Sequence, residues 1–180
     1  NFRDEASAKA LLASFGVAVP PACVVRETSC EALPDGLCFP VAVKMISRDL
    51  PHKSEMGAVK LGINSVDELN AAMQMIDQNV SQNAPHAEKA GFLIENMAAP
   101  PLAEVMVSLR RDPTFGIVLM VASGGILVEL LQDSVTLLLP CTKARIDEAV
   151  ETLAIARIID GYRGAGAGDR QGLIAAIAKM

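Results

Sequence analysis

Residues 41–60, VAVKMISRDLPHKSEMGAVK, place a lysine inside an apolar strand and follow it with a loop carrying histidine, lysine, serine and glycine. An ammonium in a segment that otherwise wants burial needs an anion to offset its desolvation, and a bound polyphosphate is one such anion. Lys44 is therefore a candidate phosphate ligand. A strand lysine whose ammonium reaches water at the sheet edge is the plain alternative. His52, Lys53 and Ser54 form the polar tip of the loop, with Gly57 and Ala58 at its return. Neutral imidazole is nucleophilic, which makes His52 a candidate catalytic side chain; an exposed loop histidine without a role is the alternative. His86, the other histidine, lies in a polar connection and receives no assignment.

Two carboxylates stand out further on. Glu95 interrupts the apolar run GFLIENM, and Glu104 follows in LAEVMVSL; surface glutamates at strand ends are the alternative for both. Gly124 and Gly125, followed by Glu129 and Asp133, allow either a close backbone approach to a ligand or partner, or a strand-connecting turn. Gly161, Gly164, Gly166 and Gly168 lack a preceding strand, the G-x-G-x-x-G spacing and a G-K-[ST], so they read as linker.

The elements that must position these residues follow from periodicity. Ala8, Leu11, Leu12 and Phe15 fall at helical spacing, with Gly16 where a left-handed cap would sit. VAVPPACVV suggests a short strand held extended by Pro20 and Pro21, before the strand FPVAVKMI. GAVKLGI reads as its partner across the PHKSEM loop, and Ser65 with Glu68 forms a capping box opening a helix whose buried face is Leu69, Met73, Ile76 and Val80. GFLIENM and LAEVMVSL read as strands joined by AAPPL, the second with Val105, Val107 and Leu109 on one face. Strands at FGIVLMVA and near SVTLLLP precede a helix marked by Ile146, Val150 and Leu153. The expected division is an α/β lobe over 1–88, a strand-rich lobe over 89–160, and a glycine-rich linker with the start of a helix over 161–180.

With 180 residues, 51% of them hydrophobic and no tryptophan, the chain can build an aliphatic core. A net charge of −5 without a basic, aromatic-interleaved cluster argues against a nucleic-acid surface, but is compatible with a small anion held by a few local cations. Cys23, Cys30, Cys38 and Cys141 form no C-x-x-C pair and have no histidine at zinc spacing, which predicts reduced thiols in a cytoplasmic protein. The apolar run at 115–122 is too short for a membrane span.

PVAVK ending at Lys44, PHKSEMGAVK, GFLIENM, RRDPTFGIVLMVASGGILVELLQD and IIDGYRG occur in that order. Together they resemble the ATP-grasp domain of the ADP-forming acyl-CoA synthetases, relatives of the succinyl-CoA synthetase beta chain. The resemblance implies an α/β (α+β) ATP-grasp fold of two lobes with a nucleotide cleft between them. It implies that Lys44 reaches the α- and β-phosphates, and that Lys53 and Ser54 sit in a loop folding over them. His52 would carry phosphate between distant sites as phosphohistidine. Backbone groups at Glu95 and Met97 would read the adenine edge, and Glu104 would hold ribose hydroxyls, a role suited to a carboxylate. The family usually has two glycines where this chain has Gly57 and Ala58, and a Cβ at the second disfavours positive φ.

The family's Mg²⁺ ligands come from strands bearing Asn-Pro-Leu and Asp-Ala-Arg signatures, which do not occur in these residues. The resemblance therefore implies ATP or ADP as ligand, Mg²⁺ held by residues beyond 180, and CoA handled by CoA-binding and ligase domains or a subunit of the same synthetase. It predicts little turnover by the chain alone, with neither nucleic-acid nor membrane partners. Two rival readings are a non-catalytic regulatory module fused to an acyltransferase, and a carboxylate–amine ligase working through an acyl phosphate.

Overall fold

The computed structural model describes residues 3–50, 53–125, 133–164 and 166–180. The chain forms two compact units, Asn1–Ala99 and Pro100–Met180.

The first unit contains α1 (Glu5–Ser14), β1 (Ala22–Val25), β2 (Val41–Ile46), β3 (Val59–Ile63), α2 (Val66–Asn83) and β4 (Gly91–Asn96). Its strands form an antiparallel sheet in the order β1-β4-β2-β3. The expected boundary at residue 88 is thus displaced by a whole strand. GFLIE is buried along its length, and a strand of that kind needs hydrogen-bonded neighbours on both edges, which β1 and β2 supply. Side-chain alternation gives the sheet two unlike faces. Val41, Val43, Met45, Phe92 and Ile94 form one core with Leu69, Met73, Ile76 and Val80 of α2, the four helix positions named from periodicity. Ala42, Lys44, Leu93 and Glu95 occupy the opposite face.

Both helices are capped as their sequences demand. Asp4 accepts a hydrogen bond from the Ser7 N–H at 2.9 Å, and Gly16 at φ +74° closes α1. Two bonds complete that closure, Gly16 N–H to Ala13 and Val17 N–H to Leu12. Ser65 accepts from the Glu68 N–H, but Glu68 reaches back to the N–H of Asn64, not to that of Ser65. The expected apolar face of α1 is not buried: Leu11 is 39% and Phe15 52% exposed, and no residue of the helix is fully buried. The sheet face bearing Lys44 and Glu95 is charged, so α1 presents Glu5 and Lys9 to it instead. Along β3 the register with β2 shifts between Val41 and Val43, and Gly62 takes φ +70°.

The second unit holds β5 (Val105–Asp112), β6 (Gly116–Ser123) and β7 (Ser134–Leu138), an antiparallel sheet in chain order. Helices α3 (Lys143–Glu151), α4 (Ala154–Ile159) and α5 (Arg170–Ile177) follow. Leu119, Val121 and Leu137 pack with Ile146, Val150, Leu153, Ile155, Ile159, Ile174 and Ile177. The expected terminal linker is therefore part of this unit: α5 contributes to its core, and Arg170 donates to Asp147 of α3 at 2.7 Å and to Asp160, which ends α4, at 3.0 Å. Among the described residues no helix is long and apolar enough to cross a membrane.

Candidate functional site

Lys44 and Glu95 lie on the same face of adjacent central strands. The register pairs Lys44 with Leu93 and Ala42 with Glu95, so the two charged residues are diagonal neighbours within reach of long side chains. Lys44 is ion-paired with Glu95, whose side chain is only 8% exposed. Glu95 also accepts from Lys9 of α1. Glu5, one turn earlier in the same helix, uses one oxygen to accept from Lys44 at 2.8 Å and the other to accept from Lys53 at 2.9 Å. Lys9 approaches Glu5 at 3.4 Å in an i, i+4 pair. Three ammonium groups thus share two carboxylates in a half-buried cluster assembled from a helix, two strands and a loop. Among the described residues the arrangement carries one excess positive charge.

Partial burial pushes the Glu5 carboxyl up, but hydrogen bonds and charge from Lys44 and Lys53 outweigh it and bring it down to about 2. Burial lowers the Lys9 ammonium, and the nearby charge of Lys44 lowers it further, with only partial relief from Glu5. Such a cluster is suited to an anion, because an added negative group relieves like-charge repulsion among the lysines.

The loop that supplies Lys53 is tied at its return. Ala58 N–H donates to the Lys53 carbonyl at 2.8 Å, and Met45 N–H donates to the Ala58 carbonyl at 2.9 Å. Asn79 of α2 donates to the Gly57 carbonyl at 3.2 Å. Gly57 takes φ +63°, whereas Ala58 has no positive φ and is fully buried, so its Cβ is accommodated as core.

In the second unit, Glu104 lies beside the paired glycines. Gly124 N–H donates to the Glu104 carbonyl at 2.6 Å, and a Cβ on Gly124 would come within 2.7 Å of the Glu104 carbonyl carbon. Gly125 takes φ +65°, and a Cβ there would run into the Glu104 carboxylate. The glycine pair therefore makes room for Glu104, which remains exposed. Asp133 accepts from the Ser123 hydroxyl at 2.7 Å and from the Ala154 N–H at 2.8 Å, capping α4, whose own N-cap residue, Leu153, supplies no side-chain bond.

A family profile described as ATP-grasp domain matches residues 1–180. The chain belongs to the ATP-grasp family. It is 35% identical over 161 residues to the beta subunit of ADP-forming acetate–CoA ligase I of Pyrococcus furiosus, covering 89% of this chain and 69% of that one. It is 33% identical over 155 residues to ADP-forming acetate–CoA ligase I of Archaeoglobus fulgidus, where the match takes in 86% of this chain but spans only 22% of the relative's length. Among solved structures, acetyl-coenzyme A synthetase 1 of Ca. Korarchaeum cryptofilum, in complex with coenzyme A and Ca-AMPCP, is similar at TM-score 0.91 and 30% identity, covering 98% of this chain and 77% of that one. Another structure of that protein holds coenzyme A and Mg-AMPPCP, with a phosphohistidine segment pointing towards the nucleotide binding site, at TM-score 0.80 and 27% identity, covering 97% of this chain and 75% of that one. The mixed α/β architecture with antiparallel sheets is the fold these ATP-grasp relatives share.

In this ATP-grasp domain, Lys44, Lys53 and Glu95 come together in one cluster. Glu95 is neither a surface residue nor free, since Lys44 and Lys9 hold it. Ser54 is exposed in the same loop. Met97 follows β4, is 39% exposed, and donates its N–H to the Pro40 carbonyl at 3.1 Å. Glu104 belongs to the second unit. His52 and Glu129 lie outside the described residues. Glu5 and Lys9 were missed from sequence. Their i, i+4 spacing on the first helix was legible, but nothing local ties that helix to a strand 39 residues on. Among the described residues no three His, Cys, Asp or Glu side chains gather as metal donors.

Proposed function

We propose that this chain is the nucleotide-binding part of an ADP-forming acid–CoA ligase, with a share of the phosphoryl relay. The observation that carries the reading is the convergence of Lys44, Lys53 and Lys9 on a half-buried patch with excess positive charge. Ammonium groups on flexible stems suit phosphates whose oxygens move during transfer. Lys44 and Lys53 hold the phosphates of ATP or ADP, and Ser54 offers a hydroxyl beside them. The Met97 carbonyl faces the adenine edge, the backbone of Glu95 being taken up in the ladder with Ala42, and the Glu104 carboxylate takes the ribose hydroxyls.

His52 accepts the phosphoryl group. Its neutral ring nitrogen forms the P–N bond as the P–O bond to the departing ADP breaks, and the step reverses when phosphate returns. Relatives of this kind pass the group on to CoA chemistry, so CoA-binding and ligase domains, or a subunit bearing them, are the partners. Magnesium would accompany the nucleotide phosphates, although the described residues do not themselves form a site for it.

Two variants test the reading. Lys44→Ala should weaken ADP binding by about 1.5–3 kcal/mol, the range for losing a charged hydrogen-bonding partner, by calorimetry on a chain shown to be folded by circular dichroism. In the assembled synthetase, His52→Ala should abolish phosphate exchange and leave nucleotide affinity nearly intact, because the ring acts on the transferring group alone. Unchanged affinity in the first, or retained exchange in the second, removes that residue from the site.

A further inference from the structure

We propose that the Glu5 carboxylate is a resident surrogate for phosphate, so that a polyphosphate must displace the first turn of α1 to reach Lys44 and Lys53. The inference rests on the reading of those two lysines as phosphate ligands. Glu5 spans both ammonium groups with its two oxygens, at 2.8 and 2.9 Å. A phosphoryl group presents the same kind of anionic acceptor to the same donors. A phosphate placed on the N–H groups that Glu5 now occupies must take its place, and one bound on the remaining donors of each ammonium would lie beside that carboxylate with like-charge repulsion.

The attachment of that first turn is built for release. The helix buries no residue completely, and its described polar links to the sheet and loop are the pairs of Glu5 with Lys44 and Lys53 and of Lys9 with Glu95. Ala42 and Leu93, on the sheet face that α1 covers, are only 3% and 2% exposed, so the displacement is confined to the first turn that carries Glu5 and leaves the rest of the helix in place. It also leaves Lys9, Lys44 and Lys53 facing Glu95 alone, which raises the local excess from one positive charge to two and favours a polyanion. Because Glu5 also holds Lys53, its departure frees the loop bearing Ser54 from α1 in the same step. Polyphosphate binding and the Glu5 contacts are thus mutually exclusive states of one cluster, with Lys9 held on Glu95 in both.

Calorimetry with inorganic tripolyphosphate on the 180-residue chain tests this. Glu5→Gln should bind roughly tenfold more tightly than the wild type, since a neutral amide competes poorly for ammonium groups. Glu5→Asp separates displacement from a bulk charge effect: it keeps the charge but is one methylene too short to span both lysines, and it too should bind more tightly. In the wild type, saturating tripolyphosphate should speed hydrogen exchange of the first-turn amides of α1 and leave those of α2 unchanged, a readout that needs no variant. Equal or weaker binding by Glu5→Gln, wild-type affinity in Glu5→Asp, or protection of that turn on binding would each overturn the proposal, the weaker binding meaning that Glu5 prearranges the lysines. Failure of the underlying phosphate reading looks different: Lys44→Ala and Lys53→Ala would then bind tripolyphosphate as well as the wild type does.

Discussion

Replacing Glu95 with alanine removes the one deeply buried carboxylate of the lysine cluster. Its side chain is 8% exposed, while those of Lys44 and Lys9 are 20% and 21% exposed. A hydrogen bond to a charged group contributes about 1.5–3 kcal/mol, but the two bonds do not simply add, because both ammonium groups can recover part of their hydration. Breaking a buried pair and stranding its partner costs about 3–5 kcal/mol. Partial access to water puts Glu95→Ala near the lower end, at about 3 kcal/mol. Glu95→Gln keeps the shape and one acceptor and should cost about half of that. The first unit has neither tryptophan nor tyrosine, so urea unfolding is best followed by hydrogen exchange of β2 and β4 amides. A loss below about 1 kcal/mol for Glu95→Ala would refute the reasoning, since that is the magnitude of an ordinary exposed ion pair.

Two further outcomes follow from the geometry. Glu5 has a folded-state value of about 2 against an ordinary 4.5, so its contribution is complete above about pH 4.5 and is lost as pH falls towards 2. A shift of that size corresponds to about 3 kcal/mol, reduced to about 2 by solvent screening of a carboxylate that is 27% exposed. The urea midpoint of the first unit should therefore fall more steeply across that window in the wild type than in Glu5→Gln, and parallel curves would count against the pairing. In the second unit, Asp133→Ala removes the cap of α4 and strands the buried Ser123 hydroxyl, so it should cost about 2 kcal/mol by Tyr162 fluorescence, which reports that unit alone.

Periodicity was a good guide wherever a face is apolar. Leu69, Met73, Ile76 and Val80 announce the buried side of α2, and Ile146 with Val150 announces that of α3, because burial of a helical stripe is a local pattern. The β2–β3 pair across the PHKSEM loop was legible for the same reason. The pattern failed for α1, whose apolar residues fit a helix but whose docking side is electrostatic. It also failed to assign β4 to the first sheet, since hydrophobic runs do not name their partners. Lys44 was recognisable as a buried cation in need of an anion. That carboxylates from residues 5 and 95 meet this need depends on strand register and helix placement, which no local spacing encodes. The crowding of Gly124 and Gly125 against Glu104 was likewise visible only once β5 and β6 were paired.

The irregularity along β3 bears on how this chain avoids its neighbours. β3 is an outer strand, and an outer strand offers a row of unused donors and acceptors on which a second chain can be templated. The slipped register opposite Val41 and Val43, together with the left-handed turn of backbone at Gly62, breaks that row within a five-residue strand. Exposed Lys60 sets a charge beside Leu61, the side chain most open to an apolar approach there. An incoming strand would find no long straight stretch to zip against, so the sheet can leave this margin uncovered without seeding fibrous stacking.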